Sequence, residues 1–175
     1  MKRFWFASAM ILAAALSRLI PHPPNFAPIA AMALAGGVYL DKRFAIVVPL
    51  AALLLSDAVL GFHSLMIFVY GSFVVISFIG LWLKSHKRPL PVFGAALASS
   101  VLFFIVSNFG VWVLADGSIY PRSIAGLIEC YVAAIPFFQN TVLGDVVYTG
   151  VLFGTLELAD KLIPVPQDKQ TVTAE

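Results

Sequence analysis

The chain has 175 residues, of which 61% are hydrophobic and only 11% are charged. The apolar share is well above that of a soluble domain, and the charges are too few to cover a soluble surface. The composition therefore indicates an integral membrane protein. The single cysteine, Cys130, excludes an internal disulfide and a cysteine-rich zinc site. No nucleotide-binding or zinc-protease motif occurs, and we expect no metal, no cofactor and no nucleic-acid partner.

Six apolar segments are predicted to be transmembrane helices, because a bilayer core needs roughly 20 apolar residues per helix. Their ranges are 4–20, 28–40, 44–61, 65–83, 91–114 and 139–162. They predict an all-α membrane protein with a single domain over 1–163 and a disordered cytoplasmic tail over 164–175. The first segment begins with "MKR" and contains "AAALS", so a cleaved signal peptide is the alternative for it.

The segment 123–138 is apolar, but it contains Glu129 and ends near Pro136. We interpret it as a short interfacial or re-entrant helix before the last span. The alternative is that it forms the first part of a kinked seventh span.

The basic residues predict the orientation, since cytoplasmic loops carry an excess of Lys and Arg. Under the six-span prediction, nine basic residues lie on one side and two, Arg18 and Arg122, on the other. The nine are Lys2, Arg3, Lys42, Arg43, Lys84, Lys87, Arg88, Lys161 and Lys169. Both termini should therefore be cytoplasmic, in the inner membrane of a bacterium.

The remaining polar residues cluster toward the predicted outer ends of the helices. Asp57, Asn108 and Asp145 should lie roughly 6–9 Å below the outer surface, at 1.5 Å of rise per residue. Polar side chains at such depth normally face the protein interior, which predicts a polar cavity that opens outward. The candidate substrate-binding residues are Arg18, His22, Asn25, Asp57, Asn108, Trp112, Asn140, Asp145 and Tyr148.

The loop "RLIPHPPNFAP" (18–28) joins the first two segments and contains four prolines. Each proline fixes φ near −65°, so the loop should be stiff. A stiff loop can present Arg18, His22 and Asn25 to a ligand with little ordering cost. Arg18 would suit a carboxylate or phosphate, and Asp57 and Asp145 a cation or hydrogen-bond donors, which together suggest a zwitterionic or polyfunctional ligand.

Each of these residues also has a structural interpretation. Arg18 could pair with Asp57 or Asp145 and tie helix ends together without contacting a ligand. His22 could be a solvated loop residue, and Asn25 and Asn140 could cap helices. Asp145 is too deep to be a cap and is the strongest candidate of the set.

Small residues form a second pattern. Ala9 and Ala13 lie one turn apart in the first segment, and Ala31, Ala35 and Gly36 continue the theme in the second. Such spacing lets helices approach closely in lipid. The pattern indicates either packing inside the bundle or a docking face for another membrane subunit.

Four stretches, "SRLIPHPPNFAPIAAMALAGGVYL", "LLLSDAVLGF", "SNFGVWV" and "FQNTVLGDVVYTGVLFG", resemble an uncharacterised family of bacterial membrane proteins described as transport proteins. That family is similar in layout to the S components of energy-coupling factor (ECF) transporters. The resemblance covers about residues 16–157.

The resemblance implies a six-helix protein that binds a vitamin, a related cofactor or another micronutrient from outside, in a pocket closed by loops. It implies docking of Ala9 and Ala13 on a membrane coupling subunit with two ATPases. The loop "PHPPNFAP" matches no substrate signature, so the substrate does not carry over. We expect a small-molecule transport protein and not an enzyme.

Three other classes stay open. A structural or assembly subunit would have polar residues that only tie the bundle together. A membrane-embedded enzyme would use Asp57, Asp145 and a histidine, although no spacing matches a catalytic motif. A standalone transporter or channel would need polar groups in the cytoplasmic half, where Ser8, Ser77 and Ser99 are the main candidates.

Overall fold

The computed structural model describes residues 2–162, and the tail predicted over 164–175 lies outside them. The described residues form six α-helices and no strand. The helices are α1 (Lys2–Ser17), α2 (Ile29–Tyr39), α3 (Val47–Leu60), α4 (Met66–Leu83), α5 (Pro89–Leu114) and α6 (Ile124–Leu162).

The helices begin and end where local chemistry favours it. The prolines of the 18–28 loop separate α1 from α2, and Gly61, with φ of 104°, follows the end of α3. Proline stands at the start of α5, where its missing N–H has no intrahelical partner to lose. Asp116 and Gly117 have positive φ and turn the chain between α5 and α6. We call the end with 18–28 and 115–123 the loop end, and the end with 41–46 and 84–88 the basic end.

Three helices of the described part, α4, α5 and α6, are long and apolar enough to cross a membrane. The prediction of six full-length spans is therefore not met. The other three have 16, 11 and 14 residues, which is short of the roughly 20 that a perpendicular span needs.

The prediction of a separate short helix over 123–138 is wrong, because these residues are the first part of the 39-residue α6. Pro136 lies inside the helix and Glu129 is exposed. Neither residue ends the helix: the proline removes one hydrogen bond, and the carboxylate faces outward.

The short helix α2 is the centre of the bundle and packs against all five other helices. Every residue from Ala30 to Val38 is buried, as expected for a helix that is apolar on all sides. Its small residues let α4 approach until the backbones touch. A Cβ built on Gly37 would lie 2.5 Å from the backbone of Gly80.

The two sets of small residues therefore have different surroundings. Ala31, Ala35 and Gly36 are buried inside the bundle, which is the first of the two alternatives for the small residues. Ala9 and Ala13 instead lie exposed on the outer face of α1.

Candidate functional site

The loop 18–28, which we call the proline loop, packs against the side of α6. The side-chain amide of Asn140 donates to the carbonyl of Pro24 at 3.0 Å, and the rings of Phe26 and Tyr148 lie 5.7 Å apart. Gly144 makes room for the loop, since a Cβ there would lie 3.1 Å from the backbone nitrogen of Ala27. Asn140 and Tyr148 therefore hold the loop in place.

A cavity of about 140 Å³ lies beneath this loop. The loop contributes His22 and Asn25 to its wall, α5 contributes Phe103, and α6 contributes Thr141 and Asp145. The first turn of α2 completes the wall. We call it the loop-end cavity. It brings together three of the predicted binding residues: His22, Asn25 and Asp145.

Local backbone geometry sets the positions of the two loop residues. Asn25 has φ of 64°, a left-handed conformation that asparagine tolerates better than most residues. Nδ1 of His22 lies 2.9 Å from the carbonyl oxygen of Pro23. Because a carbonyl only accepts, Nδ1 carries the proton in this contact, and Nε2 of a neutral ring keeps its lone pair.

Asp145 is the most deeply buried of the three, at 2% exposure. Its Oδ2 accepts a hydrogen bond from the hydroxyl of Ser100 at 2.6 Å, and the backbone N–H of Ala30 also donates to the carboxylate. Among residues 3–162, no basic side chain lies within 4.0 Å of it. Two neutral donors therefore hold a carboxyl group to which this part of the chain brings no counterion.

Arg18 and Asp57 meet each other and do not line the loop-end cavity. Their side chains form an ion pair at 2.8 Å, with 11% of the Arg18 side-chain surface and 2% of the Asp57 side-chain surface exposed. Arg18 also donates to the hydroxyl of Ser56, and the hydroxyl of Tyr70 donates to Asp57 at 2.9 Å. The sequence left Asp57 and Asp145 open as partners of Arg18, and in the structure Arg18 pairs with Asp57.

Asn108 and Trp112 lie apart from the loop-end cavity and bond to backbone carbonyls. The amide of Asn108 donates to Phe104 one turn earlier at 2.8 Å, and the indole of Trp112 donates to Pro121 at 3.0 Å. These contacts brace α5 and the connection that follows it.

Sequence reasoning missed several residues around the two carboxylates. Thr141 lies one turn before Asp145 in α6, so helical spacing alone could have indicated it. Ser100, Phe103 and Tyr70 had no such signal, because their positions depend on the register between different helices. Within the described range, no group of three or more His, Cys, Asp or Glu residues is arranged to hold a metal ion.

Comparison with known proteins gives one match. No curated protein and no solved structure matches the sequence significantly. A protein family matches over residues 1–167, which is nearly the whole chain. The chain therefore belongs to DUF6580, a family of unknown function.

Proposed function

We propose that this protein is an S-component-like membrane transport protein that binds a small molecule in the loop-end cavity for uptake. The observation that carries the proposal is the convergence of His22, Asn25 and Asp145 on one cavity under a loop fixed to α6. Two separate segments, the loop and α6, supply the polar groups, and apolar residues of the loop, α2 and α5 complete the wall. Binding pockets have this composition: mostly apolar walls with a few placed polar groups.

The charges of the cavity narrow the ligand. Arg18 is paired with Asp57, so it does not supply the positive charge that a zwitterionic ligand would need. Within residues 3–162, Asp145 is the one acidic residue in the wall and has no counterion. An ion in apolar surroundings is stabilised by an opposite charge or further donors. We therefore propose that the ligand presents an amine or another donor-rich group to Asp145.

The volume sets a second limit. Pockets for drug-sized ligands measure about 300–1,000 Å³, and the loop-end cavity measures about 140 Å³. In this state it has space for one end of a vitamin-sized molecule or for a whole smaller compound. Binding of a larger ligand requires the loop to lift away from α6.

We propose that the bundle lies in a bacterial plasma membrane with its basic end in the cytoplasm. The long apolar helices α4, α5 and α6 support the membrane location. The concentration of Lys and Arg at the basic end supports both termini being cytoplasmic, which would turn the loop-end cavity outward.

The outer face of α1 suits the docking of a coupling subunit with its ATPases. Ala9 and Ala13 are exposed there, beside exposed Leu12 and Leu16. Small residues flanked by leucines let a second helix pack closely in lipid.

The first test is mass spectrometry of small molecules that co-purify with the detergent-solubilised protein, for wild type and Asp145→Asn. The substitution keeps the shape of the side chain and removes its charge. Asp116→Asn is the matched control, because it is the same substitution at an exposed aspartate. We expect a stoichiometric compound that Asp145→Asn loses and Asp116→Asn keeps. Equal retention by Asp145→Asn would exclude Asp145 from the site.

The second candidate function is a structural subunit without a ligand, which the fully paired Arg18, Asp57 and Tyr70 favour. A wild-type protein that carries no compound, and whose melting temperature responds to no added amine, would support it. In that case Asp145 would serve only to join α6 to Ser100 and to the first turn of α2.

A further inference from the structure

A second cavity, of about 280 Å³, lies at the basic end of the bundle. Its wall carries three cationic side chains from two separate segments: Arg3 at the start of α1, and Lys84 and Lys87 in the α4–α5 connection. Asp160, near the end of α6, is the one carboxylate in that wall. We call this space the basic cavity. Its lining has more positive than negative charge.

Lys84 is the least compensated of the three cations. Its ammonium group donates to the carbonyl of Leu40, at the end of α2, at 3.0 Å. Within residues 2–162, no carboxylate lies within 4.0 Å of it. An ammonium has three donors, so two remain for another acceptor. Arg3 pairs with Asp160 at 3.2 Å, and its guanidinium also has donors to spare.

A neighbouring cavity, also of about 280 Å³, extends the positive surface. Lys87 lines both cavities, and the second adds Arg88 and Lys161. Lys87 is held by Glu157 at 2.5 Å and lies over the ring of Tyr39. The walls of the two cavities together carry five cationic side chains and two carboxylates within the described range. The excess positive charge is therefore shared between adjoining spaces.

We propose that the basic cavity binds a phosphate group, carried by an anionic phospholipid or free in solution. A phosphate offers several acceptor oxygens in a tetrahedral arrangement, which matches three donor groups that converge from two segments. Both Lys and Arg are frequent phosphate ligands. A bound phosphate would balance positive charge that the two carboxylates leave uncompensated.

The surroundings favour the lipid as the source. Trp5 and Trp82 are exposed at the same end, and Trp82 stacks on His86 at 4.5 Å. Tryptophan is enriched at the level of lipid headgroups, where phosphates lie. The basic cavity also has apolar wall residues, Phe6 and Leu156, which could contact the glycerol and acyl chain of a lipid. This proposal does not depend on a ligand in the loop-end cavity.

The test is native mass spectrometry of the full-length protein, titrated with phosphatidylglycerol and, in a separate arm, with inorganic phosphate. The variants are Lys84→Gln and Lys84→Arg. The matched control is Lys42→Gln, because Lys42 is an exposed lysine at the same end outside both cavities.

We expect Lys84→Gln to bind phosphatidylglycerol about five- to tenfold more weakly, the effect of losing one basic residue near a lipid phosphate. Lys84→Arg should restore binding, and Lys42→Gln should match wild type. Competition by millimolar inorganic phosphate would identify a free-phosphate site, and its failure to compete would identify the lipid.

Two results would overturn the proposal. One is equal weakening by Lys84→Gln and Lys42→Gln, which would show a general effect of surface charge. The other is unchanged binding in Lys84→Gln. If Lys84→Gln does not fold, because Lys84 also bonds to the end of α2, the comparison is made with Arg3→Gln, since Arg3 also lines the basic cavity. Unchanged binding in Arg3→Gln would be equally decisive.

Discussion

Asp57 and Asp145 are buried to nearly the same degree, at 1% and 2% exposure, yet their partners differ. Asp57 has the guanidinium of Arg18 and the hydroxyl of Tyr70, whereas Asp145 has one serine hydroxyl and one backbone N–H. Depth in the bundle therefore does not distinguish a structural carboxylate from a candidate binding group. The presence of a cationic partner does, because an ion pair already supplies what a charged ligand would offer.

The comparison also separates two tasks within one bundle. The pair of Arg18 and Asp57 fixes the chain just after α1 to the end of α3. Asp145 instead lines the cavity that the loop covers. One carboxylate holds the loop's starting point and the other faces the space that the loop covers.

The largest expected effect is that of Arg18→Ala. It leaves Asp57 buried without its counterion, and breaking a buried pair in this way costs about 3–5 kcal/mol. Thermal unfolding in detergent should show a strongly lowered melting temperature. Arg122→Ala is the control, because Arg122 pairs with Asp116 at an exposed site, where such pairs contribute about 0–1 kcal/mol. Similar losses in both variants would mean that the burial of Asp57 is unimportant.

A smaller effect is expected for Ser100→Ala, which removes the hydroxyl that donates to Asp145. A buried polar group that loses its hydrogen-bond donor costs about 1–3 kcal/mol. Ser107→Ala, on the same helix, removes a hydroxyl bonded only to the backbone of its own helix and should change little. Chemical denaturation of the two variants gives the comparison. A neutral Ser100→Ala would indicate that Asp145 finds another donor in the adjoining cavity.

The smallest effect on stability is expected for Gly144→Ala, which tests how closely the loop is seated. The new methyl group would lie 3.1 Å from the backbone nitrogen of Ala27, so the loop must shift by a few tenths of an ångström. Hydrogen–deuterium exchange of the non-proline amides in 22–28 should become faster. Gly150→Ala, in the same helix with no atom near the new methyl, should leave exchange unchanged. Unaltered exchange in both variants would show that the loop adapts without loosening.

Much of the helical layout could be predicted from the sequence. The predicted segments 65–83 and 91–114 lie within two residues of α4 and α5 at each end, because apolar runs bounded by charges and prolines define them locally. The last helix was predicted too short. Pro136 and Glu129 act on their own turn of helix only, and side chains that point outward interrupt nothing.

For the candidate site, the sequence indicated which residues take part better than it indicated which residues contact each other. Polar residues at the loop end indicated His22, Asn25 and Asp145, which share a cavity. The pairing of Arg18 with Asp57 could not be chosen over Asp145 from sequence, because both choices satisfy the same charge rule. The rotation of each helix about its axis decides between them, and that rotation depends on packing contacts between helices that are distant in sequence.

The buried helix α2 also has a consequence for biogenesis. Its 11 residues extend about 16 Å, too short to cross the hydrocarbon core alone, and residues 30–38 are buried among the other helices. Two of its main neighbours, α4 and α6, are synthesised after it. The nascent chain therefore cannot complete this part of its structure in order of synthesis. In the membrane location proposed above, residues 29–39 are expected to stay near the translocon or at the bilayer surface until the later helices enclose them.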